Sequence, residues 1–413
     1  MSAPFEIARL GAQGHGIADT ETGPVFIPYT LPGEIITAAR VKDRADLIAI
    51  RSASPQRVEP PCRHFGVCGG CGIQHLAEPA YLGWKRQKVV QALHAGRIDA
   101  EVTDIVPCAP GTRRRVTFSA RRSEHGAMLG FNKALSNEIV DIAECPISVP
   151  EIVSALDRLR VMAGMISATP QPFHMTVTAT DSGLDIAAEG TGKLGEGKRR
   201  IVSEFVVRQG FARLSVDGEI VVEPRKPAVL FGDAAVPIPP GAFLQATAFA
   251  EQAMAELVVA HFSRAKKVAD LFAGCGSFAL RLAKQAEVHA VEGDAAALAA
   301  LDRGFRQTSG LRRVTHERRD LFRRPLTFKE LNAFDGLVFD PPRAGAEDQS
   351  KQIARSDVPL VAAVSCNPGT LARDLAILVA GGYRVKSVTP IDQFLWSPHV
   401  EAVALLEKPR SRR

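Results

Sequence analysis

The chain has 413 residues, 46% of them hydrophobic, which predicts two or three folded domains and excludes a disordered scaffold. Its net charge of +6 is a mild excess, but the arginines come in blocks such as Arg113-Arg114-Arg115, Arg121-Arg122, Arg312-Arg313, Arg318-Arg319 and Arg323-Arg324. No apolar run approaches the ~18–20 residues that a bilayer span needs, and Met1-Ser2-Ala3-Pro4-Phe5-Glu6 lacks the basic flank and apolar run of a signal peptide. Both features predict a cytoplasmic protein.

In chain order, residues 5 to 51 read as short strands broken by glycine turns. Phe5 to Leu10, Pro24 to Ile27 and Ile35 to Ala38 predict a small OB-like or SH3-like β-barrel over residues 1–55. Ser54-Pro55 and Glu59-Pro60-Pro61 mark a linker. Cys62, Cys68 and Cys71 come next in the spacing C-x5-C-x2-C, and Cys145 in Glu144-Cys145-Pro146-Ile147 is the fourth candidate. Seven cysteines without an export signal argue against a disulfide framework. Four thiolates suit zinc or an iron–sulfur cluster, and spacing does not separate the two. Ala80 to Gly96 predicts a helix. Residues 112 to 243 read as mostly β, as in Val116 to Ser119 and Ile201 to Val207, interrupted by a helix over Pro150 to Met165. Residues 56–245 are therefore expected to form a central β-rich domain.

From residue 246 to 413 helices and strands alternate, which predicts a doubly wound, mostly parallel α/β sheet. Asp270-Leu271-Phe272-Ala273-Gly274-Cys275-Gly276-Ser277-Phe278 reads as strand, tight turn and helix start, a place where backbone amides meet a ligand. Glu292 ends the next strand and suits ribose hydroxyls. Alone, this pattern fits a dinucleotide as well, so an NAD-linked oxidoreductase stands as a rival. Asp340-Pro341-Pro342-Arg343 ends another apolar strand, as in enzymes that methylate planar nitrogen or base substrates. Cys366 comes after the apolar strand Leu360–Val364 and precedes the polar turn Asn367-Pro368, which exposes a thiol at the carboxyl edge of the sheet. Carbon 5 of uracil is too weak a nucleophile to attack a sulfonium methyl unaided. A thiolate added at carbon 6 makes carbon 5 an enolate carbon, and a base such as Glu401 must then remove its proton.

Phe243-Leu244-Gln245, Asp270 to Phe278, Asp340 to Gly345, Ser365-Cys366-Asn367-Pro368 and His399-Val400-Glu401 together resemble the RNA 5-methyluridine methyltransferases over nearly the whole chain. The resemblance implies a Rossmann-like methyltransferase domain, Cys366 as nucleophile and Glu401 as proton-abstracting base. It implies Gln245, Phe272, Ser277, Glu292, Asp320 and Asp340 around S-adenosylmethionine, with Asp340 and Arg343 near the uracil. Ser277 departs from the Asn often found there, and the alignment around Asp320 is loose. The run from Gly16 to Glu34 resembles a TRAM domain, an OB-like module of RNA-modifying enzymes. The ribosomal-RNA branch carries three N-terminal cysteines and one downstream around a 4Fe-4S cluster, which implies that role for Cys62, Cys68, Cys71 and Cys145. Methylation of a 23S rRNA uridine is the expectation, with tRNA the alternative. A radical S-adenosylmethionine enzyme would need C-x3-C-x2-C, which is absent. No feature calls for a membrane or a protein partner.

Overall fold

The computed structural model describes residues 2–124 and 126–409. Six N-terminal strands, Ser2–Glu6, Arg9–Leu10, Gly16–Thr20, Gly23–Ile27, Ile35–Val41 and Arg44–Ser52, form one sheet in the order first, fifth, sixth, fourth, third, second. Alternation along them buries Ala18, Val25, Ile27, Ile36 and Ala38 on one face. The buried Glu34 accepts both Arg57 Nε (2.6 Å) and Arg57 Nη2 (2.9 Å), and this fork fastens the sheet to the segment leading to the cysteines.

The central sheet has seven strands, running across it as Glu219–Val222, Arg213–Val216, Gly183–Glu189, Phe173–Thr180, Arg115–Ser123, Gly126–Asn132 and Ile139–Asp141. The helices Leu156–Ile166 and Glu196–Arg208 share its hydrophobic core. Residues Ile201 to Val207, expected as a strand, are helical. Their β-branched content suggests a strand, but the buried positions are Val202, Phe205 and Val206, one stripe at helical spacing. The expected helix over Pro150 to Met165 breaks at Ser154-Ala155 into Pro150–Val153 and Leu156–Ile166.

The C-terminal sheet runs Val314–Arg318, Glu287–Glu292, Lys267–Leu271, Gly336–Phe339, Leu360–Ser365, Glu401–Glu407, Arg384–Ile391. The first five strands are parallel; Glu401–Glu407 pairs antiparallel with both its neighbours, so Arg384–Ile391 runs in the same direction as the five. Gly336–Phe339 is wholly buried and Leu360–Ser365 nearly so, which explains their unbroken apolar character. All five parallel strands end at one edge. The loops after them carry Phe272, Asp320, Asp340 and Cys366 there, and Glu292 closes its own strand at the same edge.

Two pieces expected in the central domain pack into this C-terminal body. The helix Glu78–Ala95 places Val89 and Leu93 in the same core as Leu371, Leu375 and Val388. The hairpin Ala228–Phe231/Ala234–Pro237 packs Phe231 and Val236 with Leu280, Ala297 and Ala300. Periodicity shows that an element has an apolar face but not what covers it. Among the described residues no helix is long and apolar enough to cross a membrane.

Candidate active site

A cavity of about 600 Å³ opens at the carboxyl edge of the parallel strands. Its lining includes Gln245, Phe272, Ser277, Glu292, Asp320, Asp340, Cys366 and Glu401, so every residue expected around the cofactor and the reacting base meets in one space.

One half is built by the glycine turn. Phe272, Gly274 and Gly276 all have positive φ (60°, 53° and 97°). A Cβ on Gly276 would lie 2.8 Å from Leu301 Cγ, so both conformation and space demand glycine there. Glu292 accepts Gly274 N–H on Oε2 (3.0 Å) and Asp294 N–H on Oε1 (2.8 Å), which fixes its carboxylate and leaves a lone pair on each oxygen for a ligand. Asp320 Oδ1 accepts Phe322 N–H (3.0 Å) in a tight turn that sets the Phe322 ring against Phe272, with centroids 5.4 Å apart. Ser277 is engaged by Arg281, whose Nη1 donates to its carbonyl (2.8 Å) and to Oγ (3.3 Å). Arg281 also pairs with the buried Glu251 (3.0 Å), which holds Arg114 of the central sheet at 2.6 Å. This Arg–Glu–Arg bridge ties the cofactor-side turn to the central domain.

The other half holds Cys366, Glu401 and Asp340. Ser365 pairs with Ala402 in the antiparallel ladder, so the next residue on each strand, Cys366 and Glu401, emerges side by side. Asn367 caps the helix Pro368–Ala380, and its Nδ2 donates to Arg343 O (3.3 Å), clamping the Cys366 turn to the Asp340–Arg343 loop. Burial pushes the Cys366 thiol up to about 11, with the Glu401 and Asp340 carboxylates adding and Arg343 opposing. Burial and the facing Asp340 push the Glu401 carboxyl well above the usual range, against a hydrogen bond from Gln393. Burial likewise raises Asp340, opposed by Gln245, whose Nε2 donates to Asp340 Oδ2 at 2.9 Å. His399 falls to about 4 through burial and the cations Arg343, Lys88, Lys85 and Arg113. In the ligand-free protein, alkylation of Cys366 is therefore expected to be slow at neutral pH and to rise about tenfold per pH unit. Mass-mapped iodoacetamide labelling across pH checks this; a plateau at neutral pH would contradict it.

Gln393 is the residue that sequence reasoning missed. It is a polar side chain just past the strand Arg384–Ile391, itself unforeseen, and no spacing distinguishes it from a surface glutamine.

Cys62, Cys68, Cys71 and Cys145 line a second cavity, of about 290 Å³, and Arg113 and Arg115 form part of the wall of both. Gly70 N–H points at Cys68 Sγ (3.5 Å) and Ser148 Oγ at Cys145 Sγ (3.2 Å). Among the described residues no three His, Cys, Asp or Glu side chains converge closely enough to hold one metal ion. Cys108 and Cys275 are buried elsewhere. Gly72 and Ile73, just after Cys71, donate to Trp396 O (2.9 and 3.3 Å), so the cysteine segment abuts the loop between Gln393 and Glu401.

Residues 306–409 match the family model described as tRNA (Uracil-5-)-methyltransferase. The chain is 70% identical to an uncharacterized RNA methyltransferase of Mesorhizobium japonicum, over all of both chains. It is 33% identical to the 23S rRNA (uracil(1939)-C(5))-methyltransferase of Halomonas elongata, over 98% of this chain and 90% of that one. The crystal structure of the Pyrococcus abyssi tRNA (uracil-54, C5)-methyltransferase with S-adenosyl-L-homocysteine superposes with a TM-score of 0.75 at 25% identity, covering 98% of this chain and all of that one. The α/β methyltransferase fold, the shared edge that gathers the site and these whole-length likenesses lead to one conclusion: the chain belongs to the RNA (uracil-5-)-methyltransferase family.

Proposed function

We propose that this enzyme methylates carbon 5 of a uridine in 23S rRNA, using S-adenosylmethionine and a covalent link from Cys366 to uracil carbon 6. The observation that carries the reading is the placement of Cys366 beside Glu401 in the cavity that the glycine turn and Glu292 share. The dinucleotide alternative offers no task for that pair.

The residues fit the cofactor. Gly274 faces open space at the turn, Glu292 offers an oxygen lone pair to each ribose hydroxyl, and Phe272 and Phe322 supply apolar faces for an adenine. When bound, the cofactor supplies an electrophilic methyl on a sulfonium. The chain's own residues do the rest. Cys366 gives its proton to water and its thiolate adds to carbon 6, which leaves carbon 5 as the nucleophilic enolate carbon. After methyl transfer Glu401 takes the proton from carbon 5, the carbon 6–sulfur bond breaks, and the thiolate is regenerated. Burial holds the Cys366 thiol up, and a cationic ligand alongside favours its ionisation.

The 23S assignment rests on the 33% identical Halomonas elongata enzyme, set against the 25% identical tRNA enzyme. Presenting undermodified 23S rRNA and tRNA separately, with labelled methyl donor, tests it: label in 5-methyluridine of 23S rRNA is expected, and label in tRNA alone would move the substrate. The N-terminal sheet, read as a TRAM-like module over residues 1–55, and the exposed arginines Arg121, Arg122, Arg312, Arg313, Arg323 and Arg324 supply phosphate contacts, so binding should weaken steeply with salt. Such a substrate places the enzyme in the cytoplasm.

Cys62, Cys68, Cys71 and Cys145 hold a 4Fe-4S cluster on this reading. In a cubane each thiolate ligates its own iron, so the sulfurs ring a cavity instead of closing on one point, as these four do. Methyl transfer from a sulfonium needs no electrons, so the cluster staples the cysteine segment to the central sheet. Anaerobically purified protein should be brown, and Cys145→Ala should lose iron and thermal stability more than rate in the chemical step. About one zinc and no iron per chain would overturn the assignment.

A further inference from the structure

Gln393 is a buried polar side chain in the pocket that the reaction as written leaves without a task. Its Oε1 accepts Ala246 N–H (3.1 Å), and its Nε2 donates both to Gln245 Oε1 (2.9 Å) and to Glu401 Oε2. Chemistry fixes these orientations. A backbone N–H can only donate, so it must face the Gln393 oxygen, and the amide nitrogen is left facing two acceptors. Gln245 is oriented in turn, its oxygen toward Gln393 and its nitrogen toward Asp340. Two amides thus join two carboxylates, Glu401 and Asp340, in one chain.

The backbone on both sides of Gln393 is pinned from the helix Glu78–Ala95. Tyr81 OH donates to Asp392 Oδ1 (2.8 Å), Lys85 forms a wholly buried ion pair with the same carboxylate, and Lys85 Nζ also donates to Phe394 O (2.8 Å). A buried ion pair contributes little net stability, so its use here is to hold this loop in register. With Oε2 taken by Gln393, Oε1 of Glu401 has no partner among the described residues.

We propose that Gln393 is a positioning residue for proton removal: it fixes Glu401 through Oε2 and presents Oε1 as the oxygen that receives the carbon 5 proton. The inference rests on the reading of Glu401 as the base. The hydrogen bond favours the carboxylate form, against burial and against Asp340. The groups facing Glu401 are Asp340 and Cys366 from the loops after Gly336–Phe339 and Leu360–Ser365, with Arg343 acting on Cys366. His399 on its own loop is held neutral at ordinary pH, and the Lys85–Asp392 pair lies behind the loop. Removing the Gln393 amide takes its hydrogen bonds from Glu401, Gln245 and Ala246 N–H and leaves each of these charged groups in the chain.

The test uses the full-length enzyme carrying Gln393→Leu or Gln393→Met, followed in single turnover with RNA and S-adenosylmethionine. The methylated protein–RNA adduct should resolve more slowly by about tenfold to a hundredfold, the worth of a hydrogen bond to a charged group. The acid limb of that step should move to higher pH, while the adduct still forms. A merely structural role would lower thermal stability and leave adduct lifetime and pH limb untouched. Wild-type lifetime and limb in both variants would overturn the proposal, as would failure of both to fold. If the wild-type enzyme forms no Cys366-linked adduct, the assignment beneath fails; a Cys366-linked adduct indifferent to Gln393 overturns this inference alone.

Discussion

Cys366→Ala is expected to abolish methylation, with a loss of at least roughly a thousandfold, because no other side chain is placed to raise the nucleophilicity of carbon 5. The substitution removes one sulfur from a half-buried turn. The Asn367 cap and its bond to Arg343 do not involve the thiol, so fold and cofactor affinity should stay near wild type. No covalent RNA complex should form. Nucleoside analysis of treated RNA and denaturing electrophoresis read both outcomes, and an adduct that persists would assign the nucleophile elsewhere.

Glu401→Gln should fail at the other end of the cycle. The thiol can still add and the methyl can still transfer, but proton removal slows by about a hundredfold to ten-thousandfold. A methylated, cysteine-linked protein–RNA complex should therefore accumulate and survive denaturing electrophoresis. The glutamine is isosteric and can still accept from Gln393, so the fold is kept. Stability gives an independent reading. Glu401 has its folded-state proton affinity raised, so its contribution is fully present below the unfolded carboxyl range and lost as pH rises through the folded value. The variant does not titrate, so its melting temperature should equal or exceed that of wild type at alkaline pH, the gap widening upward. Normal turnover would instead move the base, with His399 the first residue to examine.

The reactive edge was legible because parallel strands, each buried on both faces, announce themselves as apolar runs. The residues just past each run then form the ligand-facing loops: Phe272 to Ser277, Asp340 to Arg343, and Cys366. Glu401 was legible as a candidate base beside an apolar strand and through the resemblance, but a glutamate at the start of the strand Glu401–Glu407 has no local mark of burial. The edge strand Val314–Arg318 went unseen because its polar residues alternate, and Arg384–Ile391 because Arg384, Lys386 and Pro390 dilute its apolar face. The helix Glu196–Arg208 was mistaken for a strand because Ile201, Val202, Val206 and Val207 favour β structure locally, and packing on the central sheet decides otherwise. Long-range polar contacts were the least visible of all. Lys85 and Asp392 lie far apart in the chain, and so do Gln245 and Gln393. Only the folded chain shows that each pair meets.

The central claim is a covalent bond between Cys366 and a uracil that receives the methyl. RNA carrying 5-fluorouridine tests it most directly, because fluorine cannot leave carbon 5 as a cation and the cycle stops before release. Incubated with S-adenosylmethionine, digested and sequenced by mass spectrometry, the trapped complex should show a methylated fluorouridine nucleotide on the peptide containing Cys366, with none in Cys366→Ala. A nucleotide on any other residue, or methylated unsubstituted RNA with no trapped complex on its fluorinated counterpart, would contradict the account.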